Sequence, residues 1–282
     1  MNRIGILKET LNIIRDGRYV TDGKNVALTH PISNLKQAVY LSEKDVLNII
    51  VEQKWKYSQH KDAKSALVKV TNRDTFSAAL AMSRKSRHAH ENEIAVLNFA
   101  NPVNPGGGVR YGAVAQEEDL CRKSTLLTSL ESEDAAEYYR FHKEQCDCFS
   151  SHSIIVSPYV EVFRSYNNDL LPYTFPVSVL TCAAPIVDGV KSRPYSYAEY
   201  ATLLSDRITG ILSVCAKLGY KKLVLGAWGC GSFGNDPMLV ARLFEQNIRQ
   251  FDSAFDEIEF AVLGNGSNFD CFYRVFVLRE FE

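Results

Sequence analysis

A large charge of one sign and long apolar runs are both missing from this sequence. The formal net charge of the 282 residues is −1, so no broad basic field attracts a polyanion, and we expect no direct binding to nucleic acid. No apolar run approaches the roughly 18 residues that a membrane-spanning helix needs. These two absences argue against a nucleic-acid-binding protein and against a membrane protein.

The seven cysteines lack the regular spacing of a disulfide framework. The N-terminal sequence MNRIGILKETL also lacks the long apolar core of a secretory signal, so we expect a reduced, cytoplasmic protein without disulfides. One segment, FHKEQCDCFSSH, places Cys146 and Cys148 between His142 and His152. Zinc ligands usually follow C-x₂₋₄-C spacing, and the shorter C-x-C here favours chance clustering over a metal site.

The phosphate-binding motifs of two large nucleotide-binding classes are absent as well. No Gly-Lys-Ser/Thr is present, and no G-x-G-x-x-G stands in the place that the dinucleotide fingerprint requires. The chain instead contains two other units in which an apolar run, a glycine-rich loop and a helix follow one another.

The first of these units, Ile94–Cys121, organises the sequence. Its apolar run Ile94–Phe99 is bounded by polar and turn-forming residues, which predicts a buried strand. The glycines Gly106–Gly108 permit positive φ angles and let a ligand approach bare backbone amides. Further along, Gln116–Glu118 open a helix-like segment, where acidic side chains suit the first turn.

The second unit begins with the predicted strand Lys221–Gly226 and continues through AWGCGSFGNDP into a predicted helix over Met238–Phe251. Asp236 suits the N-cap of that helix and Pro237 its first position. A helix N-terminus behind a glycine loop attracts anions, because free amides and the helix dipole point at it. A tight turn that binds nothing is the plain alternative, but two such loops in one chain favour a ligand site.

Strands that alternate with helices predict an α/β sandwich. The clearest further elements are strands at Pro176–Ala184 and Ile258–Leu263 and a helix over Tyr197–Leu218, and Tyr273–Leu278 is a candidate for one more strand. In such a sheet a ligand lies in the crevice at the carboxyl ends of the strands, where both glycine loops begin.

The region before the first unit has a different pattern. Residues 3–20 have a helical apolar face that Gly17 ends, and the polar segment Ser83–Glu93 separates this region from the rest. Residues 1–82 are poor in strong apolar runs, so they should not bury a core of their own. We predict a helical accessory region over residues 1–90, packed on a core domain over residues 91–282.

An anionic, pyrophosphate-like ligand would repel Glu117 and Glu118, which is a poor arrangement for binding alone. The two residues fit better as an acceptor for sugar hydroxyls and as a catalytic acid/base. Consecutive residues of a helix diverge by about 100°, so these carboxylates cannot flank a sugar as a conventional glycosidase pair does. We expect one carboxylate to do the chemistry and the other to hold hydroxyls.

These residues resemble the signature of a known family. Three glycines, seven residues and then Gln-Glu-Glu are typical of poly(ADP-ribose) glycohydrolases, and the details are similar to the bacterial type. Supporting segments are KETLNIIRDGRYV, VTNRDTFSAA, NFANPVNPGGG, SPYVEVFR, TCAAP and GAWGCGSFGNDP. The resemblance implies a macrodomain, which is a three-layer α/β/α sandwich with a mixed, mostly parallel sheet, and an N-terminal helical extension. It also implies hydrolysis of ribose–ribose O-glycosidic bonds with release of ADP-ribose.

By the same resemblance, Glu118 is the catalytic acid, which protonates the leaving ribose oxygen and later takes a proton from water. Glu117 holds ribose hydroxyls. No metal and no cofactor are implied, because the substrate's own pyrophosphate stabilises the oxocarbenium-like state. The resemblance also implies a set of residues around the distal ribose and the pyrophosphate: Asn101, Gly106, Gly107, Gly108, Gln116, Gly229, Cys230, Gly231, Ser232 and Phe233.

Asn268, Phe269 and Phe272, which follow the last predicted core strand, are candidates for the adenine site, and a core role is equally open for Phe272. Two alternative functions also stay open. The fold could serve as an ADP-ribose reader, although a reader has no use for Glu118. The same acid and ribose pocket could also act on mono-ADP-ribosyl bonds to protein or nucleic acid. The expected partners are ADP-ribose, poly(ADP-ribose) or ADP-ribosylated targets, and the sequence indicates no oligomeric state.

Overall fold

The computed structural model describes residues 2–59, 65–84, 94–145, 150–187, 196–251 and 253–279. The helices are α1 (Arg3–Asp16), α2 (Ile32–Leu35), α3 (Glu43–Ser58), α4 (Thr75–Ser83), α5 (Gln116–Lys123), α6 (Leu126–Leu130), α7 (Glu133–Gln145), α8 (Tyr197–Lys217), α9 (Pro237–Ile248) and α10 (Ser267–Tyr273). The strands are β1 (Arg18–Thr21), β2 (Lys24–Ala27), β3 (Val39–Leu41), β4 (Leu67–Thr71), β5 (Ile94–Phe99), β6 (Ile154–Arg164), β7 (Leu170–Cys182), β8 (Lys222–Leu225) and β9 (Glu257–Ala261).

Seven of the strands form one mixed sheet in the order β3-β6-β7-β5-β8-β9-β4. The pairs β3–β6 and β6–β7 are antiparallel, and the four pairs from β7 across to β4 are parallel. Strand β5 lies in the middle, with Leu97 opposite Leu180 of β7 and Val96 opposite Val224 of β8. Because parallel strands end at the same edge of a sheet, the loops that follow β5, β7, β8, β9 and β4 meet there.

Each face of the sheet buries its own apolar cluster. Along β5, Ala95 and Leu97 belong to one cluster and Ile94 and Val96 to the other, as the period-two alternation of a strand requires. Helices α3, α8, α9 and α10 cover the first face, and α1, α4, α5, α6 and α7 cover the second. The predicted three-layer α/β/α sandwich with a mixed sheet is therefore confirmed.

The long helices begin at the caps that their sequences indicate. In α8, a capping box joins Ser196 and Glu199, and α9 begins with the Oδ1 of Asp236 accepting the N–H of Met238 at 2.9 Å. Pro237 occupies the first turn of α9, as predicted. None of the helices in the described residues combines the length and the apolar character that crossing a lipid bilayer requires.

The prediction of a strand at Tyr273–Leu278 is wrong. Helix α10 runs through Tyr273, and residues Arg274–Leu278 continue it as a π-helical turn. The buried positions are Phe272 and Val275, with Phe276 packed against the ring of Phe260. Spacings of three and four residues suit a helix, whereas the short apolar run resembles a buried strand.

The N-terminal region is more than a helical extension, and its predicted content needs correction. Helix α1 ends at Asp16 rather than at residue 20, because Gly17 adopts φ 65°, and a β1–β2 hairpin follows. Strands β3 and β4 lie within residues 1–90, yet they form the two edges of the central sheet. The division at residues 90 and 91 stays a prediction, since it falls in the range 85–93, outside the described residues.

Candidate active site

A cavity of about 900 Å³ opens at the carboxyl edge of the parallel strands. Most of its lining comes from the ends of the parallel strands, from α5 and from the loop after β8, as the strand and glycine-loop pattern predicts. Helix α1 and the turn between β6 and β7 supply the rest of one side. The lining includes eight of the predicted site residues: Asn101, Gln116, Glu117, Glu118, Gly229, Gly231, Ser232 and Phe233. Within the described structure, the other four do not line the cavity: Gly106, Gly107, Gly108 and Cys230.

Gln116 fixes the first turn of α5 against the central strand. Its Oε1 accepts the backbone N–H of Phe99 at 2.9 Å. Its Nε2 donates to the carbonyl of Leu97 at 2.8 Å and to the Oγ1 of Thr75 at 3.2 Å. The side-chain amide is thus occupied by the protein, and Gln116 holds the next two residues at the mouth of β5.

Glu117 is buried, with 2% of its surface exposed. Its Oε2 accepts the N–H of Asn101 at 2.7 Å, and its Oε1 accepts from the Nδ2 of Asn98 at 3.1 Å. Burial raises the pKa of Glu117 to about 8, against the opposing effect of these hydrogen bonds, and the charge of Glu118 adds to the rise. A carboxyl that keeps its proton near neutral pH adds little repulsion beside an anionic ligand.

Glu118 has one carboxylate oxygen that is held by the protein and one that is not. The Oε1 accepts the backbone N–H of Gly108 at 2.8 Å. The Oε2 is buried and has no hydrogen-bond partner in the described parts of the chain. An unsatisfied buried carboxylate oxygen costs stability, so this oxygen calls for a partner from outside the described chain. Since Glu118 also lines the cavity, a ligand oxygen is the partner that this geometry can accept.

The three glycines allow the loop to pack directly on these carboxylates. Gly107 has φ 58°, and a Cβ at this position would overlap the Oε1 of Glu118. A Cβ at Gly108 would lie 2.8 Å from the Cβ of Ala113. Gly106 and Gly107 are therefore needed for positive φ, and all three glycines are needed for close packing. Gly107 and Gly108 are the two that contact Glu118.

Asn101 shapes the turn between β5 and the glycine loop. Its Oδ1 accepts the N–H groups of Val103 at 3.0 Å and Asn104 at 2.9 Å. Its own N–H is the donor to Glu117. With the oxygen engaged in the turn, the Nδ2 of Asn101 is the side-chain atom that can donate to a ligand hydroxyl.

Asn235 holds the second glycine loop in place, and the sequence analysis did not identify it. It is buried, and its Nδ2 donates to the carbonyls of Pro185 at 2.9 Å and Gly229 at 2.8 Å. Its Oδ1 accepts from the hydroxyl of Tyr200 on α8. Gly229 has φ 74°, and a Cβ there would lie 2.6 Å from the Cβ of Ala184. The asparagine directly before the Asp236 cap was the available sequence signal.

The remaining residues of this loop differ in where they point. Gly231 and Ser232 are exposed, and space is open around Gly231. Phe233 is half-buried and lines the cavity. The Sγ of Cys230 donates to the carbonyl of Trp228 at 3.5 Å, and burial raises the pKa of this thiol to about 12. Cys230 is therefore a neutral residue that packs against the core of the first face.

Comparison with known proteins identifies the family of this chain. A family model described as microbial-type PARG (poly(ADP-ribose) glycohydrolase), catalytic domain, matches residues 7–165. The chain belongs to this family. No curated protein matches the sequence.

Solved structures of the family resemble the whole chain. Poly(ADP-ribose) glycohydrolase from Thermomonospora curvata, bound to the inhibitor ADP-HPD, is 30% identical with a TM-score of 0.84, over 97% of this chain and 99% of that chain. A second structure of that enzyme gives a TM-score of 0.87 at 30% identity, over 96% and 98%. The enzyme from Deinococcus radiodurans in complex with ADP-ribose is 34% identical with a TM-score of 0.77, over 86% and 95%.

In this family member, several cavity residues lie beyond the family's glycine and glutamate signature, and the sequence analysis missed them. Lys123 is buried, and its Nζ pairs with the Oδ2 of Asp74 at 2.8 Å and of Asp119 at 2.6 Å. The attraction of Lys123 and hydrogen bonds lower the pKa of Asp74 despite the opposing effect of burial. The spacing of Asp119 and Lys123, four residues apart in a helix, was the available signal.

The three candidates for an adenine site separate in the structure. Asn268 lines the cavity. Phe272 is fully buried, 5.2 Å from Phe260 between ring centroids, so it is a core residue. Phe269 packs against the same core and stacks on Tyr273 at 5.8 Å.

In the cysteine–histidine segment, His142 has a protein partner at each ring nitrogen, whereas the Nε2 of His152 lies 3.8 Å from the Oε1 of Glu43. The Nδ1 of His142 lies 2.7 Å from the carbonyl of Tyr138, and its Nε2 lies 3.0 Å from the Oγ of Ser151. Cys146 and Cys148 lie outside the described residues. Among the residues that are described, no three His, Cys, Asp or Glu side chains are grouped to hold a metal ion.

Proposed function

We propose that this protein hydrolyses the ribose–ribose O-glycosidic bonds of poly(ADP-ribose) and releases ADP-ribose, with Glu118 as the general acid/base. The observation that carries the proposal is the Glu118 carboxylate in the lining of the cavity. Gly108 holds one of its oxygens, and the other has no partner in the described part of the chain. The related enzymes crystallised with ADP-ribose and with ADP-HPD support ADP-ribose as the occupant of this cavity.

In the proposed complex, the pyrophosphate lies on the backbone amides of the second glycine loop and near the N-terminus of α9. The distal ribose then lies over the first turn of α5. The carboxyl of Glu118 gives its proton to the leaving ribose oxygen as the bond from that oxygen to the anomeric carbon breaks. A water molecule adds to the anomeric carbon, and the Glu118 carboxylate takes up its proton, which restores the starting state.

Glu117 binds the ribose hydroxyls, and the substrate itself stabilises the charge of the transition state. The neutral carboxyl of Glu117 hydrogen-bonds to ribose hydroxyls, and its raised pKa avoids a second negative charge next to Glu118. The substrate's pyrophosphate stabilises the positive charge that develops on the ribose, so the proposed reaction does not need the second carboxylate that a conventional retaining glycosidase uses as its nucleophile.

A direct assay tests this proposal. Labelled poly(ADP-ribose), mono-ADP-ribosylated protein and mono-ADP-ribosylated DNA are incubated separately with the protein in buffer containing EDTA, and free ADP-ribose is measured by chromatography. We expect release from the polymer. Release from a mono-ADP-ribosylated substrate alone would replace the proposed linkage with another, and binding of ADP-ribose without any release would make the protein a reader.

A further inference from the structure

We propose that the cavity continues past Glu118 into a second subsite, which holds the neighbouring ADP-ribose unit on the leaving side of the scissile bond. This inference rests on the proposed function. The subsite is built by a leaving-side wall, which consists of Arg3 on α1, Arg122 on α5, and Tyr166 and Asn167 in the turn between β6 and β7.

The position of the acid decides which side of the cavity receives the leaving group. One side of the cavity is formed by Ala184, by the loop after β8 and by Asn268, next to the helices of the first face. The other side is formed by α5 and the leaving-side wall, next to the helices of the second face. Glu118 belongs to α5, and a general acid must lie within hydrogen-bond reach of the oxygen that it protonates. The leaving ribose therefore begins on the side of the wall.

A buried arginine connects the three elements of the wall. Arg164 is 4% exposed, and its Nη2 donates to the Oε2 of Glu9 on α1 at 2.6 Å. Its Nη1 donates to the carbonyl of Asn168 in the turn at 2.9 Å, and its Nε donates to the Oγ1 of Thr10 at 3.2 Å. That hydroxyl donates in turn to the carbonyl of Arg122 on α5 at 2.6 Å. Hydrogen bonds of the buried Arg164 guanidinium, extended by the Thr10 hydroxyl, thus fix the three elements of the wall relative to one another.

The charges of the wall suit an anion. Arg3 is exposed and has no ion pair with any residue that the structure describes. Burial lowers the pKa of Arg122, and repulsion by the nearby charge of Arg3 adds to this, against the attraction of Asp119 and Glu118. The Asp119 carboxylate lies 4.0 Å from Arg122, and Lys123 is already neutralised by two carboxylates. A phosphate group next to Arg3 and Arg122 would relieve their mutual repulsion.

The aromatic residue of the wall suits a base. Tyr166 is 54% exposed at the edge of the cavity, and its ring lies 5.4 Å from the Nζ of Lys123. Its backbone is held in a turn in which Asn168 donates to the carbonyl of Ser165 at 3.0 Å. The leaving ribose of poly(ADP-ribose) carries the adenine of the neighbouring unit, so this base lies close to the scissile bond. An exposed aromatic ring is the surface on which a base stacks.

The test compares substitutions in the wall with matched substitutions outside it. Tyr166→Ala is expected to raise the KM for poly(ADP-ribose) by about fivefold or more, since loss of one stacking contact has at least this effect. Arg3→Ala should also raise this KM, because it removes a positive charge next to the phosphate. Calorimetric affinity for ADP-ribose alone should change by less than about twofold. The KM effect of Arg3→Ala should shrink at high salt, because it is electrostatic.

Arg15→Ala and Tyr111→Ala are the controls. Arg15 is an exposed arginine of the same helix, paired with Asp16, and Tyr111 is a tyrosine with 89% exposure that is not part of the cavity lining. Both should keep the parent KM. An unchanged KM in the wall variants, or an equal loss of ADP-ribose affinity, would overturn the subsite while leaving the hydrolysis intact. If the parent protein releases no ADP-ribose from the polymer, that result would instead contradict the proposed hydrolysis.

Discussion

At the scale of single residues, burial gives the two adjacent carboxylates different surroundings. Glu117 accepts hydrogen bonds at both oxygens and has its pKa raised by burial, whereas Glu118 keeps one oxygen without a partner among the residues that the structure describes. The sequence shows two glutamates in a row and predicts the division of labour from helix geometry alone. Which backbone amides hold each one depends on contacts with β5 and the glycine loop, and no local pattern contains that information.

The stability of the protein should depend on the protonation of Glu117. Its pKa is about 8 in the folded protein against 4.5 ordinarily, so the folded state binds the proton more tightly. This contribution to stability is fully present below the pKa that Glu117 has in the unfolded chain. It is lost as the pH rises through the pKa that Glu117 has in the folded protein. The range from about pH 5 to about pH 9 spans these two pKa values of Glu117. Across it, the melting temperature of Glu117→Gln should fall less steeply than that of the parent.

The variant is expected to fold, because a glutamine oxygen can still accept from Asn101 and the Asn98 amide has an Oδ1 without a partner in the described chain. Glu133→Gln, an exposed glutamate in the first turn of α7, serves as the control. Melting curves for the three proteins across that window decide the matter. Parallel pH dependence of Glu117→Gln and the parent would contradict the raised pKa.

Phe233 offers a second prediction at this scale. If its ring orients the distal ribose, Phe233→Ala should lower kcat more than it weakens ADP-ribose affinity, because a displacement of about 1 Å at a reacting centre costs on the order of 10²-fold in rate. Steady-state kinetics with poly(ADP-ribose) and calorimetry with ADP-ribose give the two numbers. An unchanged kcat would reduce Phe233 to a packing residue of the loop.

At the scale of elements, the glycine loop and α5 act as one unit. A side chain at Gly107 would overlap the carboxylate of Glu118, so Gly107→Ala should move the acid and lower kcat by about 10²-fold or more. Gly23→Ala is a matched control, since Gly23 has φ 71° with nothing within 4 Å of its Cβ position. Both variants carry a backbone strain of about 1–2 kcal/mol.

Thermal melting and turnover separate the two effects. Similar losses of melting temperature are expected in Gly107→Ala and Gly23→Ala, with a loss of turnover in Gly107→Ala alone. Equal turnover in both variants would mean that the loop tolerates a side chain and that the contact with Glu118 does not position the acid.

Helices and strands were predicted correctly from the sequence where neighbouring residues determine them. The caps at Ser196 and Asp236 and the buried run of β5 are examples, since each depends on residues that are neighbours in sequence. Strands β3 and β4 were missed because they are short edge strands of three and five residues with no clear alternation. Their pairing with β6 and β9 is set by the sheet as a whole. Arg164 was missed for the same reason, because two of its partners, Glu9 and Thr10, lie more than 100 residues away on α1.

At the scale of the whole molecule, the N-terminal region completes the fold. It supplies both edge strands of the sheet and covers a buried carboxylate of β6. The Oε2 of Glu161, a fully buried residue, accepts the N–H of Thr29 at 2.8 Å, and its Oε1 accepts the N–H of His30 at 2.6 Å. A carboxylate that loses such donors costs at least about 1–3 kcal/mol.

Removal of the N-terminal region should therefore destabilise the protein strongly. A chain of residues 91–282 alone is expected to melt at a lower temperature than the full chain and to bind a hydrophobic dye, since its sheet loses both edges and its second face loses α1 and α4. Differential scanning calorimetry and dye fluorescence measure the two properties. A fragment as stable as the full chain would mean that residues 1–90 are a separate accessory region after all.

The central claim is that Glu118 donates and accepts the proton of a glycosidic hydrolysis. Glu118→Gln keeps the shape of the side chain but cannot transfer the proton, and general acid/base groups contribute about 10²–10⁴-fold to the rate. The measurement is hydrolysis of poly(ADP-ribose) beside calorimetric titration with ADP-ribose, on the parent and on Glu118→Gln. We expect turnover to fall by at least about 10²-fold while ADP-ribose still binds, because the loop amides are untouched. Release of ADP-ribose by Glu118→Gln at the parent rate would contradict the account.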